Sequence, residues 1–456
     1  MPFAKPQNKN LLVFLLILTV INLIQAKVTG LLFDESYYWY FAQNLSWGYF
    51  DHPPMVALMV KLGGLIFSGE LGVRLLAPFL WSGTVFFIWK LIDHKDKDTL
   101  LPHFMLLIAA AALFNAYGFF MLPDTPLIFF TVLFLYVYKQ FYLKKTFFLA
   151  LILGVLMACM MYSKYHAALA ICAVLASNFS LWKRLNFWFA VGFALLLYVP
   201  HLLWLVQSDF APFKYHLLYR MKSDFKIGRV FEYIGGQLGV LGFLAPLYVL
   251  ALVKLKPNGD FMVKSYKYVF YTFFFFFLIS SYNRNTQPQW TIAVFAPLAI
   301  LMFYYVAQNQ NIKKWFFGLG ITTIVVLVVA RFILVFPSLS PIAYETHGNE
   351  VWAKKLHSQI GNTPVVFENS YRESTMYSFY TRAQIFSANN LYYRMNQFDI
   401  DSSEYKIQGK KVAYVSNYKL KDSVFGVSMP YKKKVFRGYF INNFQSYRKL
   451  QCKVDE

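Results

Sequence analysis

A chain of 456 residues that is 58% hydrophobic and only 14% charged, with a mean hydropathy of +0.42, is too apolar for a soluble domain and reads as an integral membrane protein. Its formal net charge of +22 does not mark a nucleic-acid binder, because the basic residues sit in short clusters between apolar runs, as membrane orientation requires. The three cysteines show no disulfide framework and no metal-ligand spacing: Cys159 and Cys172 fall in apolar segments and Cys452 in the polar tail.

A helix crossing the hydrocarbon core needs about 20 mostly apolar residues, and roughly eleven such spans can be placed. They begin near residues 11, 71, 100, 126, 146, 165, 186, 231, 268, 291 and 315. The first, Leu11 to Leu32, follows a short basic head with Lys5 and Lys9 and lacks a small-residue cleavage pattern, which predicts a retained helix. Where it ends, Asp34 and Glu35 stand side by side, and Tyr49-Phe50-Asp51-His52-Pro53-Pro54 follows in the same connecting segment. Ionisable groups at a membrane boundary are costly and mark a site. Helices over Glu35 to Asn44 and Met55 to Phe67, both rich in apolar residues, are expected to lie in the interface and hold Asp34 and Asp51 at the mouth of a cavity.

Further along, Asp124 lies in Leu122-Pro123-Asp124-Thr125-Pro126, and Lys164 and His166 lie in a short turn between two apolar runs. His216 and Arg220 follow the seventh span; Arg284, Gln287 and Gln289 follow the ninth. From residue 338 to residue 456 the chain turns polar, with strand-like runs at Pro364 to Phe367 and Val412 to Val415 and a helical pattern over Tyr371 to Tyr380. The expected organisation is an all-α polytopic membrane domain over residues 1–337 and a small α/β domain over residues 338–456.

Loop charge sets the orientation. With the basic head cytoplasmic, the alternate short loops holding Lys95 and Lys97, Lys144 and Lys145, Lys183 and Arg184, Lys254 to Lys267, and Lys313 and Lys314 are cytoplasmic too. An odd span count then places the tail outside, and nearly every unusual polar residue falls on that outer side. Each also has a structural reading. Asp34 is a favoured helix N-cap, Glu35 suits the positive end of a helix dipole, and Asp124 before Thr125-Pro126 suits an N-cap with proline in the first turn. Lys164 taken alone reads as an interfacial lysine reaching headgroups, His52 as part of a turn, and Arg284 as an anchor to lipid phosphate.

Taken in order, the acidic pair at Asp34-Glu35, the Tyr49 to Pro54 run, Pro123 to Leu127, the Ser163 to His166 turn, Phe213 to His216 with Arg220, and Gln287-Pro288-Gln289-Trp290 resemble membrane glycosyltransferases of the GT-C fold. The similarity is to the bacterial branch that includes lipid A aminoarabinose transferase and relatives of the protein O-mannosyltransferases. It implies transfer of a hexosyl or pentosyl group from a polyprenyl-phosphate donor to a lipid, glycan or protein acceptor. The site implied faces the periplasm, at the outer face of the bacterial cytoplasmic membrane. Asp34 matches the family's essential aspartate and Lys164 a lysine associated with the donor phosphate. The aminoarabinose transferases tend to carry Glu-Lys-Pro where this chain has Asp51-His52-Pro53, so a carboxylate is kept while the cation is replaced by a histidine that need not be charged at neutral pH.

The chemistry asks for the same residue types. A departing lipid phosphate needs a cation, which Lys164, Arg220 or Arg284 can supply, and a hydroxyl acceptor needs a base, for which Asp34 is the candidate and Asp51 its competitor; a phosphate acceptor would need no strong base, and Asp34 would then orient the donor sugar instead. Glu35, His52, Asp124, His166, His216 and Gln289 complete the expected substrate-binding set. No cofactor is required; a divalent ion bridged by Asp51 and His216 is the one metal reading, carried by two ligands that topology alone brings together. The rival is a polytopic transporter or flippase of lipid-linked sugars. Such proteins show repeated halves and midplane charges, whereas no repeat is visible here. A catalytically idle lipid or glycan receptor is a third reading.

Overall fold

In a bilayer each backbone N–H and C=O must be satisfied within its own segment, so long apolar runs become helices. The computed structural model describes residues 6–215, 225–339, 345–390, 393–418, 420, 422–430, 432 and 434–445. Among them, eight helices are long and apolar enough to cross a membrane: Lys9–Val28, Gly69–Leu91, Asp124–Lys144, Leu185–Gln207, Ile227–Lys254, Phe261–Ser281, Pro288–Gln308 and Gln310–Val335. The chain is a multi-pass membrane protein.

The segments expected to span near residues 100, 146 and 165 form shorter helices. The first is broken into Leu101–Ala109 and Ala112–Ala116. The buried Asn115 amide donates to the carbonyls of Ile108, Ala109 and Ala111 at 3.0, 3.1 and 2.7 Å, serving acceptors around the break. The other two, Phe147–Ser163 and Ala167–Ser177, are separated at Lys164, whose backbone is extended (φ −164°, ψ 140°). Hydropathy sees apolar content and is blind to such breaks.

The described residues form two compact units. The first takes in the chain up to Ala26, His52–Met59 and Arg74–Ala330. Its core runs through Phe295–Gln308, in which every residue from Phe295 to Val306 is buried, whereas Gln310–Val335 leaves Ile321, Val325, Val329 and Phe332 exposed, as a lipid-facing helix would.

The second unit takes in Lys27–Asp51, Val60–Val73 and the chain from Arg331 onward. Its sheet comprises β1 (Val365–Glu368), β2 (Ile385–Ala388), β3 (Val412–Ser416), β4 (Phe425–Ser428) and β5 (Val435–Ile441), in the order β2-β1-β3-β5-β4. β2, β1 and β3 run parallel, and β5 and β4 close the sheet antiparallel. β2 is buried throughout and β1 is buried over Val365, Val366 and Phe367, and both have apolar runs rather than alternation, as a strand covered on both faces requires. Helices Asn349–Ile360 and Tyr371–Thr381 complete the α/β arrangement.

Phe33–Gln43 is a helix, two residues earlier than expected, but its surroundings differ from the interfacial placement. Phe33, Glu35, Ser36, Tyr37, Tyr38, Phe41 and Ala42 are all buried, because the aromatic residues find protein partners in this unit. Ser36 Oγ and Thr375 Oγ1 share a 3.0 Å hydrogen bond, and the rings of Tyr37 and Tyr371 and of Trp39 and Phe379 meet at 4.8 and 5.3 Å. The loop leading in is equally tight: a Cβ at Gly30 would stand 2.2 Å from the Thr346 carbonyl oxygen.

Candidate active site

The second unit brings Asp34 and Asp51 into one electrostatic cluster with two arginines. Asp34 lies in the first turn of Phe33–Gln43, whose N-cap is Leu32. The capping carboxylate is therefore not Asp34 but Glu35, which is fully enclosed and accepts the Leu32 N–H at 3.0 Å through Oε2. Freed from capping, Asp34 places Oδ1 3.1 Å from Arg372 Nη2. Asp51 pairs through Oδ1 with Arg394 Nη2, and Arg394 Nη1 donates to the Tyr371 hydroxyl at 2.9 Å. The Arg394 guanidinium also lies over the Tyr371 ring, 5.3 Å from its centroid.

Water reaches 45% of the Asp34 side chain, yet protein crowds the carboxyl closely enough for desolvation to raise its pKa, with Arg372 pulling it down and Asp51 adding to the rise. Arg372 is held more firmly protonated, with Asp34 the strongest of the neighbours that outweigh its desolvation. Asp34 is thus a carboxylate with a strengthened affinity for a proton and a cation at its side. Sequence reasoning had no reason to select Arg372 or Arg394. Their signal was available only as one arginine inside the helical pattern and another beyond β2, in a tail whose charge is exempt from orientation rules.

The first unit holds a separate cluster. Lys164 Nζ meets Asp124 Oδ1 and Oδ2 at 2.7 and 3.0 Å, and both side chains are buried. Lys164 is therefore not a lysine reaching for headgroups. Asp124 likewise is no N-cap: it is the first residue of Asp124–Lys144, with Pro123 at the cap position and its carboxylate committed to Lys164. His166 lies 5.8 Å from Trp290 and 4.9 Å from Phe277, ring to ring, and the Arg284 guanidinium lies 5.9 Å from the same Trp290 ring. Arg284 also donates to Ser280 Oγ. These contacts bring two of the candidates, His166 and Arg284, around one indole.

His52 is half-buried in the bend before Met55–Gly64, and Gln289 is half-buried in the short 3₁₀ segment Pro288–Val294. His216 and Arg220 lie outside the described residues. Among the described residues, no group of three His, Cys, Asp or Glu side chains is placed to hold a metal ion, and Asp51 Oδ1 is engaged by Arg394.

The architecture has close counterparts among solved structures. ArnT from Cupriavidus metallidurans in the apo state superposes with a TM-score of 0.71 over 94% of this chain and 97% of that one, at 14% identity. The chain has the GT-C fold. ArnT bound to undecaprenyl phosphate gives a TM-score of 0.69 at 15% identity, over the same shares of both chains. The family model for dolichyl-phosphate-mannose-protein mannosyltransferase matches residues 51–204. Lipid A galacturonosyltransferase RgtD of Rhizobium johnstonii (strain DSM 114642 / LMG 32736 / 3841) is 23% identical over 264 residues, covering 54% of this chain. The match likewise spans about half of that relative, 54% of its length. The GT-C resemblance read from the motifs, and its direction toward lipid A sugar transferases, are both borne out.

Proposed function

We propose that this GT-C protein moves a hexosyl or pentosyl group from a polyprenyl-phosphate donor to a lipid acceptor at the outer face of a bacterial cytoplasmic membrane. The observation that carries the reading is Asp34: a carboxylate of raised pKa beside a guanidinium, on a scaffold shared with ArnT. A bound undecaprenyl phosphate in that relative supports the donor class, and likeness to a lipid A galacturonosyltransferase favours a lipid acceptor over a protein or a free glycan.

In the reaction an acceptor oxygen forms a bond to the anomeric carbon as the bond from that carbon to the phosphate oxygen breaks. The electron pair leaves with the phosphate, and the hydroxyl proton passes to Asp34. Negative charge grows on the departing phosphate, so cations near it lower the barrier. Asp51, held by Arg394, keeps a second negative charge near Asp34 and so sustains its basicity.

The test is reconstitution of the full chain in vesicles with a radiolabelled polyprenyl-phosphate sugar and lipid A. Label appearing covalently on lipid A supports transfer. Labelled donor that only changes leaflet would establish the transporter reading instead.

A further inference from the structure

The two ion pairs of the second unit are not equivalent. Asp51 and Arg394 are the more enclosed, with 12% and 32% of their side chains exposed, and Arg394 is tied again to Tyr371. Asp34 and Arg372 are open, at 45% and 42%, and an ion pair that water reaches on both sides is weak and easily exchanged. Arg372 also has an unused donor: its Nε is buried and finds no hydrogen-bond acceptor among the described residues. A guanidinium paired with Asp34 through Nη2 and hydrogen-bonded to Tyr371, with Nε still unmet, retains a donor for a phosphate, whose oxygens accept two parallel hydrogen bonds from such a fork. Arg372 is moreover the second residue of Tyr371–Thr381, where the helix dipole favours an anion.

We propose that Arg372 receives the phosphate of a polyprenyl phosphate and, in exchanging its carboxylate partner for that phosphate, unmasks Asp34 only when donor is present. Asp34 in the ion pair is a poor base because its lone pairs are directed at a guanidinium. Once Arg372 turns to the phosphate, desolvation and the Asp51 charge remain and the largest opposing influence is gone. The other charged or titratable groups around the pair are Arg394, Tyr371, Glu35 in the same helical turn, and Glu345, which acts on Arg372 and accepts the Phe33 N–H at 3.3 Å. Lys432 stands 4.3 Å over the Phe33 ring. The unmasking rests on the assignment of Asp34 as base; the phosphate site does not. Arg372 is on this account a binding and positioning residue.

The test uses the full chain in detergent with farnesyl phosphate, farnesol and inorganic phosphate as probes, and the variants Arg372→Gln and Arg372→Lys. Farnesyl phosphate is expected to bind the wild type far more tightly than either farnesol or inorganic phosphate does. Arg372→Gln should weaken farnesyl phosphate binding roughly 10–100-fold, since charge-assisted hydrogen bonds are lost, and Arg372→Lys should restore part of it. Unchanged affinity in Arg372→Gln overturns the site, and equal affinity for inorganic phosphate overturns the lipid part of it. In turnover, the acid limb of kcat, which reports the donor complex, should lie at higher pH than that of kcat/KM, which reports the free enzyme. Coincident limbs overturn the unmasking. Arg372-dependent farnesyl phosphate binding in a protein that transfers no sugar would sustain the phosphate site while removing the transferase reading.

Discussion

Lys164 Nζ lies 2.7 Å from one carboxylate oxygen of Asp124 and 3.0 Å from the other, and less than a tenth of either side chain meets solvent. A buried pair of this geometry is costly to assemble and more costly to break, since removing one partner strands the other charge. Asp124→Asn and Lys164→Met should each destabilise the folded protein by about 3–5 kcal/mol, read as a fall in the temperature at which the detergent-solubilised protein aggregates. The double change Asp124→Leu with Lys164→Met should recover most of that loss. If Lys164→Met alone is as heat-stable as wild type, the pair is not a structural requirement, and Lys164 is free to serve as the phosphate-binding lysine that the GT-C resemblance implies.

Asp34→Asn is expected to leave folding intact, because the Phe33–Gln43 cap is made by Glu35 and the amide fills the same volume. Transfer should fall by ~10²–10⁴-fold, the usual contribution of a positioned general base. The check is turnover of labelled donor by variant and wild type at matched amounts of folded protein. A variant that turns over at near-wild-type rate would remove Asp34 from the base role and leave Asp51 as the remaining carboxylate.

The sequence made Asp34 and Asp51 stand out because a carboxylate is rare beside a membrane segment, and rarity is a local property. What answers those charges was not legible. Arg372 and Arg394 are more than 300 positions away in the chain, in a polar tail where arginines are unremarkable, and only tertiary packing selects them. Lys164 and Asp124 both stand out locally, yet their pairing is hidden for the same reason: Asp124 opens one helix, Lys164 sits in the extended break between two others, and nothing in either local pattern refers to the other. The strands at 365–368 and 412–416 and the helix Tyr371–Thr381 were visible because pattern and length are local. The broken helix at Leu101–Ala116 escaped because hydropathy averages over a window and Asn115 contributes only one residue to it.

Glu35 offers a test of the division of labour in the acidic pair. It is completely enclosed, and its carboxylate takes the Leu32 N–H. Glu35→Ala should cost about 1–2 kcal/mol of stability through the lost cap, whereas Glu35→Gln, whose amide oxygen can still accept, should cost less. Donor binding by the folded fraction should be unchanged in Glu35→Gln. A selective loss of donor affinity with unchanged heat stability would move Glu35 from the cap into the binding site.

Topology is testable apart from any family. Loop charge places the tail outside and the loops at residues 178–184 and 309–314 inside. The probes must be exposed positions: Ser36 and Ser370 are buried and unsuitable, whereas Ser358, Ser402, Ser180 and Asn311 are open to solvent. In a background with Cys159, Cys172 and Cys452 replaced, Ser358→Cys and Ser402→Cys should react with an impermeant maleimide on intact spheroplasts. Ser180→Cys and Asn311→Cys should react only after the membrane is opened. The four positions together give a sign that one alone cannot, because a leaky membrane would label all four and an inverted protein would exchange the two pairs. Exchange would put the tail, with Arg372 and Arg394, on the cytoplasmic face, and a transferase acting at the outer face would no longer be tenable.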